Sequence, residues 1–119
     1  MSPDRFCFPK SARLLKSAEY RKIYQEGAKF VGPLFAAFYS RAEGGRAARV
    51  GYTTPKAAGN AVIRNRLKRR LREAVRMQLP SLGGGWEVVF NPRRAVLDAE
   101  FSRLTAEVAR LFGLLRGKL

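Results

Sequence analysis

The sequence predicts one α+β domain with its elements in the order α-β-β-β-α-β-α. Three observations carry this reading. The chain is 119 residues long and 46% hydrophobic, which suits one globular unit with a modest core. Three segments repeat apolar residues at helical spacing. Between them lie short aromatic or β-branched runs bounded by Gly, Pro and Asn, as strands are.

Residues 1–13 read as a basic, proline-bearing arm ahead of the packed unit, and residues 1–119 as a single domain. Ser17 is expected to cap a first helix that Gly27 stops. Tyr20, Ile23 and Tyr24 share one face of it at i, i+3 and i+4. Residues 29–31 form a short strand before Gly32-Pro33. Residues 34–40 form the next, with Leu34, Ala36 and Phe38 on one face and Phe35, Ala37 and Tyr39 on the other. After a loop at 43–46, residues 49–54 form a third strand. It sets Val50, Tyr52 and Thr54 against Gly51 and Thr53, and Pro55 ends it.

A long helix is expected from its cap at Asn60 to about Leu79, before Pro80. Residues 86–90 form the last strand, closed by Asn91-Pro92. Asp98 caps a final helix ending at Gly113, with Phe101, Leu104, Val108, Leu111 and Phe112 on its apolar face. Phe35, Tyr39, Trp86, Phe90, Phe101 and Phe112 are assigned to the core.

The charge balance selects the partner. The chain carries 24 basic and 9 acidic residues, a net charge of +15. Self-repulsion of that size favours a polyanion at the surface, nucleic acid first and an anionic membrane second. Histidine is absent and Cys7 is the only cysteine, so the usual general base, a disulfide framework and a CxxC metal site are excluded. Cys7 reads as a plain cytosolic thiol. The acids are scattered, against a nuclease that holds its own metal. No apolar run has the length of a membrane span and no secretory leader is evident, so a cytoplasmic protein is expected.

The charge concentrates in Lys56–Arg76. On a helical projection Ile63, Leu67, Leu71, Ala74 and Val75 gather in one core-facing sector. Arg64, Lys68 and Arg72 run along one edge of this stripe, with Asn65, Arg69 and Arg76 beside them on the exposed side. Arg66 and Arg70 flank the other edge. Glu73 alone cannot neutralise these cations within the helix. Guanidinium forks suit phosphate and base contacts. The two edges are therefore expected to hold different RNA surfaces. Tyr20, Tyr24 and Phe38 are candidates for a stacking wall beside the helix, with core packing as the alternative for each.

The run Lys56-Ala57-Ala58-Gly59-Asn60-Ala61-Val62-Ile63-Arg64-Asn65-Arg66-Leu67-Lys68-Arg69-Arg70-Leu71-Arg72-Glu73 closely resembles the "RNR" signature of the bacterial ribonuclease P protein component. Leu14-Leu15-Lys16, Tyr20, Tyr24 and Gly27 resemble that family's N-terminal segment, and Arg49-Val50-Gly51-Tyr52 its strand into the motif. The resemblance implies an α-β sandwich with a left-handed βαβ crossover, against the right-handed default. It implies that a partner RNA, with Mg²⁺ bound mainly by that RNA, cuts precursor tRNA at the mature 5′ end. No residue of this chain is then catalytic. The chain would bind the ribonuclease P RNA, one to one, and the single-stranded 5′ leader in a cleft between the RNR helix and the sheet.

By the same resemblance, RNA-binding positions fall on Arg64, Asn65, Arg66, Lys68, Arg69, Arg72, Lys56 and Thr53. Leader-cleft aromatics fall on Tyr20, Tyr24 and Phe38. Ala57, Pro55 and Asn91 depart from residues usual in the family, and Arg93 and Arg94 follow soon after Asn91. The alternative function is a basic RNA-binding module, such as a ribosomal protein, with no role in cleavage.

Overall fold

A computed structural model describes residues 17–41 and 48–117. The arm at 1–13 with Cys7, the Leu14–Lys16 segment and the loop at 43–46 lie outside the described residues. The elements are α1 (Ser17–Glu26), β1 (Ala28–Val31), β2 (Phe35–Arg41), β3 (Arg49–Tyr52), α2 (Ala61–Arg76), α3 (Leu79–Leu82), β4 (Trp86–Pro92) and α4 (Phe101–Arg116). Single 3₁₀ turns occupy Lys56–Ala58 and Arg94–Leu97.

The strands form one sheet in the order β1-β2-β4-β3. β2 pairs antiparallel with β1 and with β4, while β3 runs parallel to β4. A parallel neighbour needs a crossover, and α2 supplies it between β3 and β4. The expected α+β class and element order hold, with α3 added.

Strand alternation separates two unequal layers. Phe35, Ala37 and Tyr39 of β2, Val50 and Tyr52 of β3 and Val88 and Phe90 of β4 point to one face. There they meet Leu67, Leu71, Ala74 and Val75 of α2 and Leu104, Val108, Leu111, Phe112 and Leu115 of α4. The core stripe expected on α2 is this contact. The opposite face carries a smaller cluster, Ile23 of α1 on Val89 with Tyr20 and Phe38 beside them. α1 has ten residues, about 15 Å of helix. It cannot cover four strands, and the remainder of this face stays open.

Several boundaries differ from the expectation. α1 begins at Ser17 itself. Leu34 precedes β2 and joins the large core, away from Ala36 and Phe38. β3 ends at Tyr52, although the Thr53 N–H still donates to Phe90 O at 2.9 Å, and Thr54 turns to the open face. α2 stops at Arg76. Pro80 then sits in the first turn of α3, where its missing N–H costs no bond. Asn91 and Pro92 belong to β4, with Pro92 opposite Phe35 at the strand's end.

Asp98 ends the 3₁₀ turn, and Glu100 precedes α4. α4 runs through Gly113 to Arg116, because Leu115 extends the apolar face by one more turn. Phe101 lies at the first residue of that helix and is exposed, in contrast to its expected place in the core.

Candidate nucleic-acid interface

The open face is organised along α1. At its start Arg49 of β3 donates to both Glu19 of α1 and Glu87 of β4, tying helix to sheet. Its bond to Glu87 is the main reason its pKa is raised. In the middle the hydroxyl end of Tyr20 packs closely on Gly51, where a Cβ would collide with the Tyr20 ring and hydroxyl. Only glycine allows this approach. Burial pushes the Tyr20 phenol above its usual 10.0, and the negative charges of Tyr24 and Glu19 add to this against a hydrogen bond with the Tyr52 backbone.

One turn further on, Tyr24 reaches the open part of the sheet. Its ring meets Phe38 edge-on, with centroids 4.7 Å apart and planes at 77°. Its hydroxyl lies 2.8 Å from Thr53 Oγ1 and donates to Asn91 Oδ1 at 3.1 Å. Thr53 also bonds Asn91. These groups floor a cleft of about 750 Å³. Lys29 of β1 bounds one end, its Nζ 5.3 Å from the centre of the Phe38 ring. The Thr54–Ala58 segment bounds the other, held by Arg94 Nη1 donating to Ala58 O at 3.0 Å.

This cleft differs from the one the resemblance implied. Core fills the space between α2 and the sheet, whereas the cleft lies on the opposite face, between α1 and the turn leading into α2. Tyr24, Phe38 and Thr53 line it, but Tyr20 does not, since its ring is consumed against Gly51. Lys56 is exposed on the 3₁₀ turn, and its side chain is not among those that line the cleft, although its neighbours Pro55, Ala57 and Ala58 are.

The turn into α2 explains the Gly59-Asn60 pair. Gly59 has φ +142°, which side-chain-bearing residues rarely adopt. Asn60 then caps the helix, its Oδ1 accepting the Ile63 N–H at 3.0 Å. From there the basic residues separate by edge. Arg72 sits with its guanidinium 5.6 Å from the Tyr52 ring centre, so the Arg64-Lys68-Arg72 edge runs beside β3. Arg64 and Lys68 are half-buried there, and Asn65, Arg66, Arg69 and Arg72 are exposed. Arg76 is bound to Glu73.

Arg70 faces the other way. Its Nε–H donates to Val96 O at 2.8 Å and its Nη2 to Ala99 O at 2.6 Å. That fork joins α2 to the segment before α4. The Arg66-Arg70 edge is thus half structural: Arg70 is bound within the fold and Arg66 is exposed.

Lys29, Asn91 and Arg94 are cleft residues the sequence did not mark as such. Period-two alternation from the core residue Phe30 places Lys29 on the open face. Asn91 becomes visible only once β4 is seen to continue past Phe90.

The family model for ribonuclease P matches residues 8–116. This chain belongs to the ribonuclease P protein family. The ribonuclease P protein component of Symbiobacterium thermophilum is 36% identical over 103 residues, covering 87% of this chain and 90% of that one. That of Citrifermentans bemidjiense is 36% identical over 111 residues, covering 93% and 94%. The fold matches the RNase P protein of Staphylococcus aureus with TM-score 0.74 at 23% identity, over 88% of this chain and 95% of that chain. It matches the Thermotoga maritima protein with TM-score 0.74 at 23% identity, over 84% and 94%.

Membership makes the chain a protein subunit of ribonuclease P, the endonuclease of tRNA processing. Among the described residues of this ribonuclease P protein, no three His, Cys, Asp or Glu side chains gather as a metal-holding group. The neighbouring carboxylates Glu19 and Glu87 are both engaged by Arg49. No helix among them is long and apolar enough to cross a membrane.

Proposed function

We propose that this subunit acts by holding two RNAs at once, the catalytic RNA of ribonuclease P and the single-stranded 5′ leader of precursor tRNA. The observation that carries this is the junction of the cleft with α2. The Thr53–Ala58 segment that walls the cleft leads directly into the helix bearing Arg64, Lys68 and Arg72.

The cleft suits a single strand. Tyr24 and Phe38 offer ring surface for a base, and each stacked base contributes about 1–3 kcal/mol. Thr53 and Asn91 offer polar contacts beside them, and Lys29, Arg93 and Arg94 stand along the walls for phosphates. The exposed side of α2, with Asn65, Arg66 and Arg69, faces the partner RNA. Fixing both lowers repulsion between the RNAs and sets the leader's path to the cut site.

The cut is assigned to the RNA partner, which would hold most of the Mg²⁺, and that ion would supply activation of water for hydrolysis. Among the described residues the carboxylates of Glu19, Glu73 and Glu87 are paired with arginines and that of Glu107 accepts backbone N–H groups, which supports this division of labour. The chain contributes binding and orientation at one copy per RNA in the cytoplasm, and removal of the leader leaves the mature 5′ end.

The test is to mix the chain with a bacterial ribonuclease P RNA and precursor tRNA at low Mg²⁺. Cleavage at the mature 5′ end should rise, and the holoenzyme should bind precursor more tightly than mature tRNA. No rise in correct cleavage would return the chain to the alternative of a basic RNA-binding module without a part in processing. Equal binding of precursor and mature tRNA would refute the leader cleft alone.

A further inference from the structure

The cleft crosses the sheet from Thr53 beside β3 to Lys29 on β1. A strand lying in it and continuing past Lys29 would leave over the β1 edge, near the Gly32-Pro33-Leu34 turn that the cleft residue Arg93 contacts. Arg93 stands on the cleft side of that turn, its Nε–H donating to Gly32 O at 3.0 Å. On the far side α4 supports the turn through Glu107. Its Oε2 accepts the Leu34 N–H at 3.1 Å and the Phe35 N–H at 3.0 Å. Glu107 is only 7% exposed, so its charge is directed inward at backbone donors.

Arg103 and Arg110 stand one helical turn before and after Glu107, and both are exposed. The Arg110 guanidinium lies 5.3 Å from the centre of the Phe30 ring, which anchors it at the β1 edge. Among the described residues neither Arg103 nor Arg110 joins an ion pair. The basic row of α2 is beside β3, at the other edge of the sheet, and so belongs to a different surface.

We propose that Arg103 and Arg110 form a second landing surface for the leader, reached by nucleotides that have passed through the cleft and round the β1 edge. The ligand is the phosphate backbone of single-stranded RNA, and the contact is indifferent to base identity. This rests on the leader-cleft reading and extends it: leader length beyond the cleft adds affinity, and these two side chains are the reason.

The experiment uses the holoenzyme and precursor tRNAs whose leaders grow one nucleotide at a time. In the unsubstituted protein, affinity should go on rising after the cleft is full. In the R103Q/R110Q double variant, checked for an unchanged melting temperature, it should level off at a shorter leader. For the longest leader the salt dependence should flatten by about 1.4 in slope, two contacts at about 0.7 each. For the shortest it should not change. The R103K/R110K pair keeps the charge and should keep the gain.

A double variant that follows the unsubstituted protein at every length overturns the proposal. So does an equal loss at every length including mature tRNA, which would place these arginines on the catalytic RNA. A lysine pair that fails like the glutamine pair overturns it too. If the unsubstituted protein gains nothing from any leader, the cleft reading itself has failed, and that result is visible before any variant is made.

Discussion

Arg66 and Arg70 lie one turn apart on the same edge of α2, yet the fold uses them oppositely. Arg66 is exposed, while Arg70 spends its guanidinium on the carbonyls of Val96 and Ala99. The same contrast occurs on α1. Tyr24 brings its hydroxyl to the cleft, and Tyr20, one turn earlier, lies against Gly51. In each pair the residue type and helical edge are shared. What differs is whether another segment of chain passes within reach. A basic or aromatic row is therefore a supply of groups, and the fold takes some for itself before a ligand meets the rest.

The largest expected consequence is at Arg70. Arg70→Ala removes two charge-assisted hydrogen bonds and leaves two part-buried carbonyls without a donor, so stability should fall by about 2–3 kcal/mol. Arg66→Ala should stay within about 0.5 kcal/mol. Thermal or urea unfolding of both variants decides this, and equal losses would erase the contrast between the two arginines.

Next is Tyr24→Phe, which keeps the ring against Phe38 but releases it from Thr53 and Asn91. Holoenzyme affinity for precursor tRNA should drop by about 1 kcal/mol, roughly fivefold, with mature tRNA binding unchanged. A loss shared by both RNAs would move Tyr24 out of the leader site.

Lys68→Ala tests the free edge of α2. Affinity for the catalytic RNA should weaken, with the salt slope falling by about 1 and stability held. A drop in melting temperature without a change in slope would make Lys68 structural like Arg70.

The smallest effect is alkaline. The Tyr20 phenol is raised above 10.0 in the folded chain. As pH climbs past that value the unfolded chain loses this proton first and comes to bind fewer protons than the native state. Its contribution is complete below pH 10.0 and is lost above it, at no more than about 1.4 kcal/mol per pH unit. Urea unfolding from pH 9 upward should show the decline in the parent and not in Tyr20→Phe.

Much of this molecule was legible from residue spacing. The α2 stripe of Leu67, Leu71, Ala74 and Val75 is buried as its periodicity required, and Asn60 caps the helix as its side chain allows. Strand alternation likewise separated Phe35, Ala37 and Tyr39 from Ala36 and Phe38. The errors gathered at element ends. Gly113 reads as a stop, but Leu115 docks in the core and carries α4 past it. Asn91-Pro92 reads as the close of the last strand, but pairing with Phe35 and Ala36 keeps both residues in β4.

The sequence by itself determined the fold class, the burial stripe of α2 and the polyanionic partner, because periodicity and net charge are properties of the chain alone. The tertiary structure decided the rest: which face holds the cleft, that Asn91 joins Thr53 and Tyr24, and that Arg70 is bound to the segment before α4. These depend on contacts between residues far apart in the chain, such as Arg70 with Ala99 and Tyr24 with Asn91. Local spacing sets a side chain's direction, and only folding sets what lies at the end of it.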